Sequence, residues 1–411
     1  MRVLFVSNLY PPHYLGGYEL GCHEAVQRLK QGGYEVRVLT STYGVGGRQF
    51  DGEVYRWLET DMGQRVQPLG LRALRLLRKE IRNQSAVKRI ASEFRPNLIY
   101  FWNLRGISIS IAFWAQRRNI STCFYVFDQW IETWRQDQWY ALWPPAPRRF
   151  AVQLASRAAR SLLGAFDLLT TDSLDLRHVQ FASRFLQRVT LAAGEPVANG
   201  DVIHWGIDID EFPFQNAVAV GQLLFVGQIA RHKGVHTCIE ALNILINDYG
   251  QTNLNLTIVG SGRDHEYNGE LQRLVILHGL EKRVRFIGFL PRDQLRKVYR
   301  AHGVLLFPSV WDEPFGLGIL EAMASGLAVV GTASGGSAEI LEHEVTGLAF
   351  PKEDAESCAT EILRLLTDPQ LFERLRRNGR QTVEERFTIN RAIDKIEQAL
   401  LSQLGEEAGA S

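Results

Sequence analysis

Two glutamates stand eight positions apart in WDEPFGLGILEAMASGLAVVG, Trp311 to Gly331: Glu313 between Asp312 and Pro314, and Glu321 inside the apolar run GILEAMA. A helix that buries one stripe keeps its acids on the wet face. Carboxylates set in so apolar a run therefore point to a ligand rather than to packing. At about 100° per residue, eight helical positions turn through about 800°, roughly 80° from a full repeat. Glu313 is thus expected in the loop before the helix, and Glu321 within it. Four glycine-bearing turns offer a second kind of chemistry: LGGYE (Leu15 to Glu19), VGQIARHKG (Val226 to Gly234), VGSGRD (Val259 to Asp264) and DEPFGLG (Asp312 to Gly318). In three of them a helix follows directly, and the free N–H groups and positive dipole end of a helix start favour an anion such as a diphosphate.

The elements that must hold these turns are short β-branched runs alternating with helical stretches. In the first half they are RVLFVSN, EVRVLTS, NLIYFWN, STCFYVFD and DLLTTDS, with a helix from about Glu19. After LAAGEPVAN and VIHWGIDIDEFPF the pattern restarts with LLFVGQI, LNLTIVG, VRFIGFL, GVLLFPS and AVVGTA. Such alternation predicts parallel sheets covered by helices. The expected fold is α/β: two doubly wound Rossmann-like domains, residues 1–200 and 201–384, facing across a cleft. The last helices, from about Asp368 to Leu404, have no strand between them, and the one over about 385–404 is expected to cross back to the first domain. The tail GEEAGAS is expected to be disordered. Ligands of open α/β sheets bind outside the carboxyl ends of the strands, so the cleft is the expected active site.

Composition excludes several classes. The chain has 411 residues, 45% of them hydrophobic, which suffices for two cores. A net charge of +1 argues against a nucleic-acid partner. That sum conceals an asymmetry: residues 1–200 carry 26 Lys plus Arg against 16 Asp plus Glu, and the remainder 20 against 29. Cys22, Cys123, Cys238 and Cys358 are scattered singly, with no disulfide framework or zinc pattern. The opening MRVLFVSNLYPP reads as a strand and a turn, so no signal peptide is expected there, and no segment runs 18 apolar residues. A cytoplasmic protein is expected.

VGQIARHKG, VRFIGFL and DEPFGLGILEAMASGLAVVGTASGGSAEIL together resemble the donor half of the retaining family 4 glycosyltransferases, of GT-B fold, with their E-x7-E motif at Glu313 and Glu321. SNLYPPHYLGGYEL and VIHWGIDIDEF extend the resemblance, which is loosest from about Ser41 to Ser161, the acceptor side. It implies a hexosyltransferase moving a hexose from a nucleotide diphosphate sugar, UDP first and UDP-glucose as donor, to a saccharide or lipid-linked acceptor in polysaccharide or glycoconjugate synthesis. No cofactor and no metal are implied. Glu321 would accept hydrogen bonds from the ribose hydroxyls, and Glu313 would bind the hexose. The amides of Phe315, Gly316 and Leu317 would hold the diphosphate, with Gly260 in a further turn near the donor, and the backbone near Phe289 and Leu290 would read the base. Lys233 would neutralise charge building on the leaving group. Gly16 and Gly17 would let the chain approach the phosphates. Retention would proceed on one face, the departing phosphate oxygen taking the proton of the attacking hydroxyl, with no protein nucleophile.

Two positions depart from the pattern. Gln228 stands where the family usually has arginine, so either Arg231 reaches in from the loop instead, the favoured reading, or the diphosphate has one charged partner fewer. Phe127 replaces a histidine before Asp128, leaving Asp128 to orient the acceptor. Taken singly, several of these residues have plain readings: Lys233 as a solvated lysine before a helix, Glu339 as a first-turn glutamate, His13 and His204 as structural or surface residues, and Asp208 to Asp210 as a cap and turn rather than a metal motif. The conjunction in order carries the reading. Trp130, Trp134, Trp139 and Trp143, near Arg135, Arg148 and Arg149, are core aromatics, platforms for an acceptor sugar, or part of a peripheral contact with the inner face of a membrane. The basic stretch Leu71 to Arg95, with Arg72, Arg75, Arg78, Lys79, Arg82, Lys88 and Arg89, is a solvated helix or belongs to the same membrane patch. A nucleotide-sugar epimerase and a non-catalytic nucleotide-sugar binder remain as alternatives. An acceptor requirement for UDP release distinguishes transfer from both.

Overall fold

A computed structural model describes residues 1–62, 69–140, 159–169, 173–197 and 199–410. The chain divides into two compact units, Met1–Ile203 with Ile393–Ser411, and His204–Ala392.

The first unit runs β1 (Arg2–Ser7), α1 (Gly17–Gln31), β2 (Glu35–Ser41), β3 (Gln49–Asp51), β4 (Val54–Leu58), α2 (Leu69–Phe94), β5 (Leu98–Asn103), α3 (Ser110–Arg117), β6 (Ser121–Val126), β7 (Val179–Phe181), α4 (Arg184–Ala192) and β8 (Asp201–Val202). Its sheet has the order β3-β4-β2-β1-β5-β6-β7-β8, parallel except for the β3–β4 hairpin. All six residues of β5 are buried, as in a strand covered on both faces. The rings of Phe5, Tyr100, Trp102 and Tyr125 fill this centre, with Trp102 stacked on Tyr125 at 4.7 Å.

The second unit runs β9 (Gln222–Val226), α5 (Val235–Asn243), β10 (Asn255–Val259), α6 (His265–Leu277), β11 (Val284–Gly288), α7 (Arg292–Arg300), β12 (Val304–Phe307), α8 (Leu317–Ser325), β13 (Ala328–Gly331), β14 (Leu348–Ala349), α9 (Ala355–Thr367) and α10 (Pro369–Arg386); α11 (Ile389–Ala410) closes the chain. The sheet is parallel throughout, in the order β11-β10-β9-β12-β13-β14. Strand order therefore reverses between β9 and β12, the switch point where a doubly wound sheet opens a crevice. Caps set the helix starts. Asp264 accepts from Tyr267 N at 3.0 Å, and Asp368, ahead of Pro369, accepts from Leu371 N at 2.9 Å.

Two expectations fail. DLLTTDS is not a strand where it is described: Leu168 and Leu169 pack with Leu76 and Trp139 in a loop, and Leu168 O accepts from Trp139 Nε1 at 2.7 Å. Val179–Phe181 takes the place beside β6 instead. The tail is also helical as far as Ala410. Within the first unit Gln403 Nε2 donates to Ser121 Oγ at 2.7 Å and Thr122 O at 3.1 Å, which ties that helix to β6. All four cysteines are buried and free. Among the described residues, no helix is long and apolar enough to cross a membrane.

Candidate active site

The loops after β9 and β12 meet at the switch point of the second unit. After β9 the chain passes Gly227 to Ala230, makes one 3-10 turn over Arg231–Lys233, and enters α5 through Gly234. Gly234 has φ +69°, and a Cβ there would lie 2.0 Å from Pro308 O in the other loop. Only glycine allows that approach. Val310 N donates to His232 O at 2.9 Å, closing the two loops on each other.

This packing brings Lys233 to Glu313. Lys233 Nζ donates to Glu313 Oε1 at 2.7 Å and lies 5.1 Å from the ring centre of Trp311. Ser309 Oγ donates to the same Oε1. The Glu313 carboxylate is 5% exposed, held by a cation and a hydroxyl, and it lies in the loop before α8 as its spacing from Glu321 predicts. The loop is braced from behind, since Glu313 forms a bridge with Gly335 and its carbonyl accepts from Gly336 N at 2.6 Å.

Phe315 is buried, and Gly316 and Leu317, both half-buried, begin α8. The first amides of a helix have no partner within it, so the start of α8 offers donors and a positive dipole end beside the Lys233–Glu313 pair. His204 stacks on Phe315, with ring centres 5.8 Å apart and planes at 13°, and its Nε2 is 2.7 Å from Glu339 Oε2. His204 and Glu339 thus brace the residue that leads into the helix.

Glu321 sits one turn into α8 and is buried. Tyr299 Oη donates to its Oε2 at 3.0 Å, and Arg292 Nη1 is 3.5 Å from its Oε1. Burial pushes the Glu321 carboxyl above the ordinary carboxylate range, against the pull of Arg292. Arg292 Nε also donates to Glu211 at 3.1 Å, and its guanidinium lies 5.5 Å from the Phe212 ring centre. Glu321 is therefore wired to the turn at Asp208 to Glu211, where Asp208 caps by accepting from Asp210 N at 3.1 Å. Phe289, 65% exposed, and Leu290 precede Arg292 in the loop after β11.

Other expected site residues fall differently. Arg231 is exposed, bonded to Glu270 Oε1 at 3.2 Å, and its guanidinium lies 4.9 Å from the Tyr267 ring centre. Gln228 is exposed. Gly260 has a packing reason to be glycine, because at φ +147° a Cβ would lie 1.7 Å from Gly227 O. In the first unit, Glu19 Oε2 accepts from Gly16 N at 2.9 Å and Leu15 N at 3.4 Å, so that carboxylate takes the amide of Gly16 at the start of α1, where Gly17 begins the helix. Asp128, after β6, has its carboxyl raised by burial against the pull of Arg105, and its Oδ1 is buried with no hydrogen-bond partner among the described residues. Trp143, Arg148 and Arg149 lie outside the described residues. Lys79 does not belong to a solvated face: it is 2% exposed and paired with Asp61. Arg82 and Arg89 pair with Glu59 and Glu93.

Sequence reading missed Ser309, Tyr299 and Arg292. Tyr299 and Arg292 reach Glu321 only through the fold, whereas Ser309 lies four residues before Glu313 in the same loop but carries no pattern that marks it.

Comparison with known families joins this geometry to a lineage. A model of glycosyl transferases group 1 matches residues 208–382, and a model of the glycosyl transferase 4-like domain matches residues 16–179. The chain belongs to the family 4 glycosyltransferases. Among similar proteins, glycogen synthase of Mycobacterium tuberculosis is 26% identical over 94% of this chain and 91% of its own. An uncharacterized glycosyltransferase of Methanocaldococcus jannaschii is 33% identical over 45% of this chain, which spans about half of that relative's length, 48%. The crystal structure of Anabaena HepE in complex with UDP-glucose superposes with a TM-score of 0.69 at 21% identity, covering 98% of this chain and all of that one. The two chains share the GT-B fold.

Proposed function

We propose that this glycosyltransferase moves a hexose from a UDP-sugar to a saccharide or lipid-linked acceptor with retention of configuration, and needs no divalent ion. The observation that carries the proposal is the Lys233–Glu313 pair beside the start of α8, at the switch point of the second unit. A diphosphate on the amides of Gly316 and Leu317 would be next to the ammonium of Lys233. Glu313, already a double acceptor, would turn to hexose hydroxyls as Lys233 moves to the phosphate. Glu321, fixed by Tyr299 and Arg292, would receive the ribose hydroxyls. Charge developing on the leaving diphosphate would then meet the Lys233 ammonium and the helix dipole, an electrostatic contribution of several kcal/mol. The proton of the attacking hydroxyl would pass to the departing phosphate oxygen, and Asp128 would help orient the acceptor. UDP-glucose is the donor we favour, in keeping with the ligand of HepE.

A thermal-shift screen of UDP, GDP and ADP, followed by their sugars in the presence of EDTA, tests this. Stabilisation by UDP and its sugar supports it, and no shift with any nucleotide overturns it. UDP release that requires an acceptor would separate transfer from epimerisation and from simple binding.

A further inference from the structure

Trp311 stands two residues before Glu313, and its exposure is not what packing alone would select. At 38% it is the most exposed tryptophan among the described residues. An indole left in water forfeits the free energy of burying its large apolar face. The loop nevertheless holds that face in place. Ser334 Oγ donates to Trp311 O at 3.1 Å, and the next residue, Asp312, accepts from Lys352 Nζ at 2.7 Å. The His232 ring packs against the indole, with centres 5.0 Å apart and planes at 61°. Because Val310 N donates to His232 O at 2.9 Å, the backbones of the two loops are tied as well as their rings.

The cation over the indole is Lys233, whose Nζ lies 5.1 Å from the ring centre while it donates to Glu313 Oε1 at 2.7 Å. His232 adds no second charge there. Burial and the neighbouring ammonium of Lys233 lower its pKa, against the pull of Glu313, so the imidazole is neutral at neutral pH. One ammonium thus covers both an aromatic face and a carboxylate. When a diphosphate draws that ammonium away, the two are bared together.

A pyranose carries the matching pair of features, an apolar face of axial C–H bonds and a rim of hydroxyls. A carboxylate accepts from the hydroxyls, and the negative face of an indole attracts the slightly positive C–H hydrogens. We propose that Trp311 is the stacking wall of the hexose subsite: in the free protein the Lys233 ammonium occupies its ring face, and the C–H face of the donor hexose takes that place once the ammonium has turned to the diphosphate. The inference rests on the UDP-sugar reading and adds to it an order of events. The phosphate clears the surface on which the sugar then lies, so nucleotide and hexose are recognised together.

Calorimetric titration of the full chain tests it, with UDP, UDP-glucose, UDP-galactose and UDP-N-acetylglucosamine as probes. The sugar nucleotide that the wild type binds most tightly is then titrated into Trp311→Ala and Trp311→Phe. Its affinity should fall about five- to ten-fold in Trp311→Ala, the loss of one aromatic contact. Trp311→Phe should keep most of that affinity, and UDP should bind all three proteins alike. Equal losses for UDP and its sugar would make Trp311 a brace of the loop and overturn the assignment, as would no loss in Trp311→Ala or no rescue by phenylalanine. Binding of UDP by the wild type is the separate check on the donor reading: without it that reading fails, and the hexose subsite with it.

Discussion

Lys233 and Glu313, 80 residues apart in the chain, share a 2.7 Å hydrogen bond where the loops after β9 and β12 meet. Each was assigned to a different part of a donor, the cation to the diphosphate and the carboxylate to the hexose. In the free protein they neutralise one another, and on the proposed function this contact would hold Lys233 close to where a phosphate binds.

Replacing Lys233 by alanine should lower kcat by about 10²- to 10³-fold, as for loss of one preorganised electrostatic contact. Glu313 keeps Ser309 as a donor, and the fold should survive. Steady-state transfer assays with circular dichroism would check both parts.

Glu321→Ala should weaken UDP itself by about ten-fold or more, since a buried acceptor of two hydrogen bonds is lost. Glu313→Ala should mainly reduce turnover. Calorimetric titration of UDP into both variants is the measurement, and equal losses of affinity would refute the division of labour.

The pH dependence should follow Glu321. Burial raises its carboxyl above the ordinary range, so on acidification it regains its proton earlier than an exposed glutamate does. A protonated carboxyl has less capacity to accept ribose hydroxyls. UDP affinity of the wild type, relative to Glu321→Gln, should therefore fall with pH before exposed carboxylates titrate. Taking the difference between the two proteins cancels the titration of UDP.

Glu80, fully buried on α2, has its carboxyl pushed up to about 7 by burial, partly offset by Lys79. A raised folded value means stability that is fully present below the unfolded value, about 4.3, and lost as pH rises through about 7. Relative to Glu80→Gln, the wild type should lose on the order of 3 kcal/mol across that window. Urea unfolding at a series of pH values would read it.

Gly260→Ala should destabilise by at least about 2 kcal/mol, because φ +147° suits glycine alone and the new Cβ would overlap Gly227 O. A fall in Tm is expected whether or not UDP is present. A fall confined to the nucleotide complex would instead assign Gly260 to the ligand.

What the sequence determined by itself is local. Alternating apolar runs and helical stretches mark the strands β1, β2, β5, β6 and β9 to β13, because each run carries its own periodicity. The eight-residue spacing places Glu313 in the loop and Glu321 in the helix, because helical rotation is a property of the chain alone. DLLTTDS misled for the opposite reason. A short apolar run is equally suited to a strand and to a buried loop, and packing against Leu76 and Trp139 decided it. Lys79 reads as one more charge on a basic helix until Asp61, 18 residues away, is folded against it. Tyr299, Arg292 and Ser309 carry no pattern, and only the order β11-β10-β9-β12-β13-β14 brings together the segments that join Lys233 to Glu313 and Tyr299 and Arg292 to Glu321. Which carboxylate meets which cation depends on that order, since side chains far apart in sequence meet only after the sheet has set their distance.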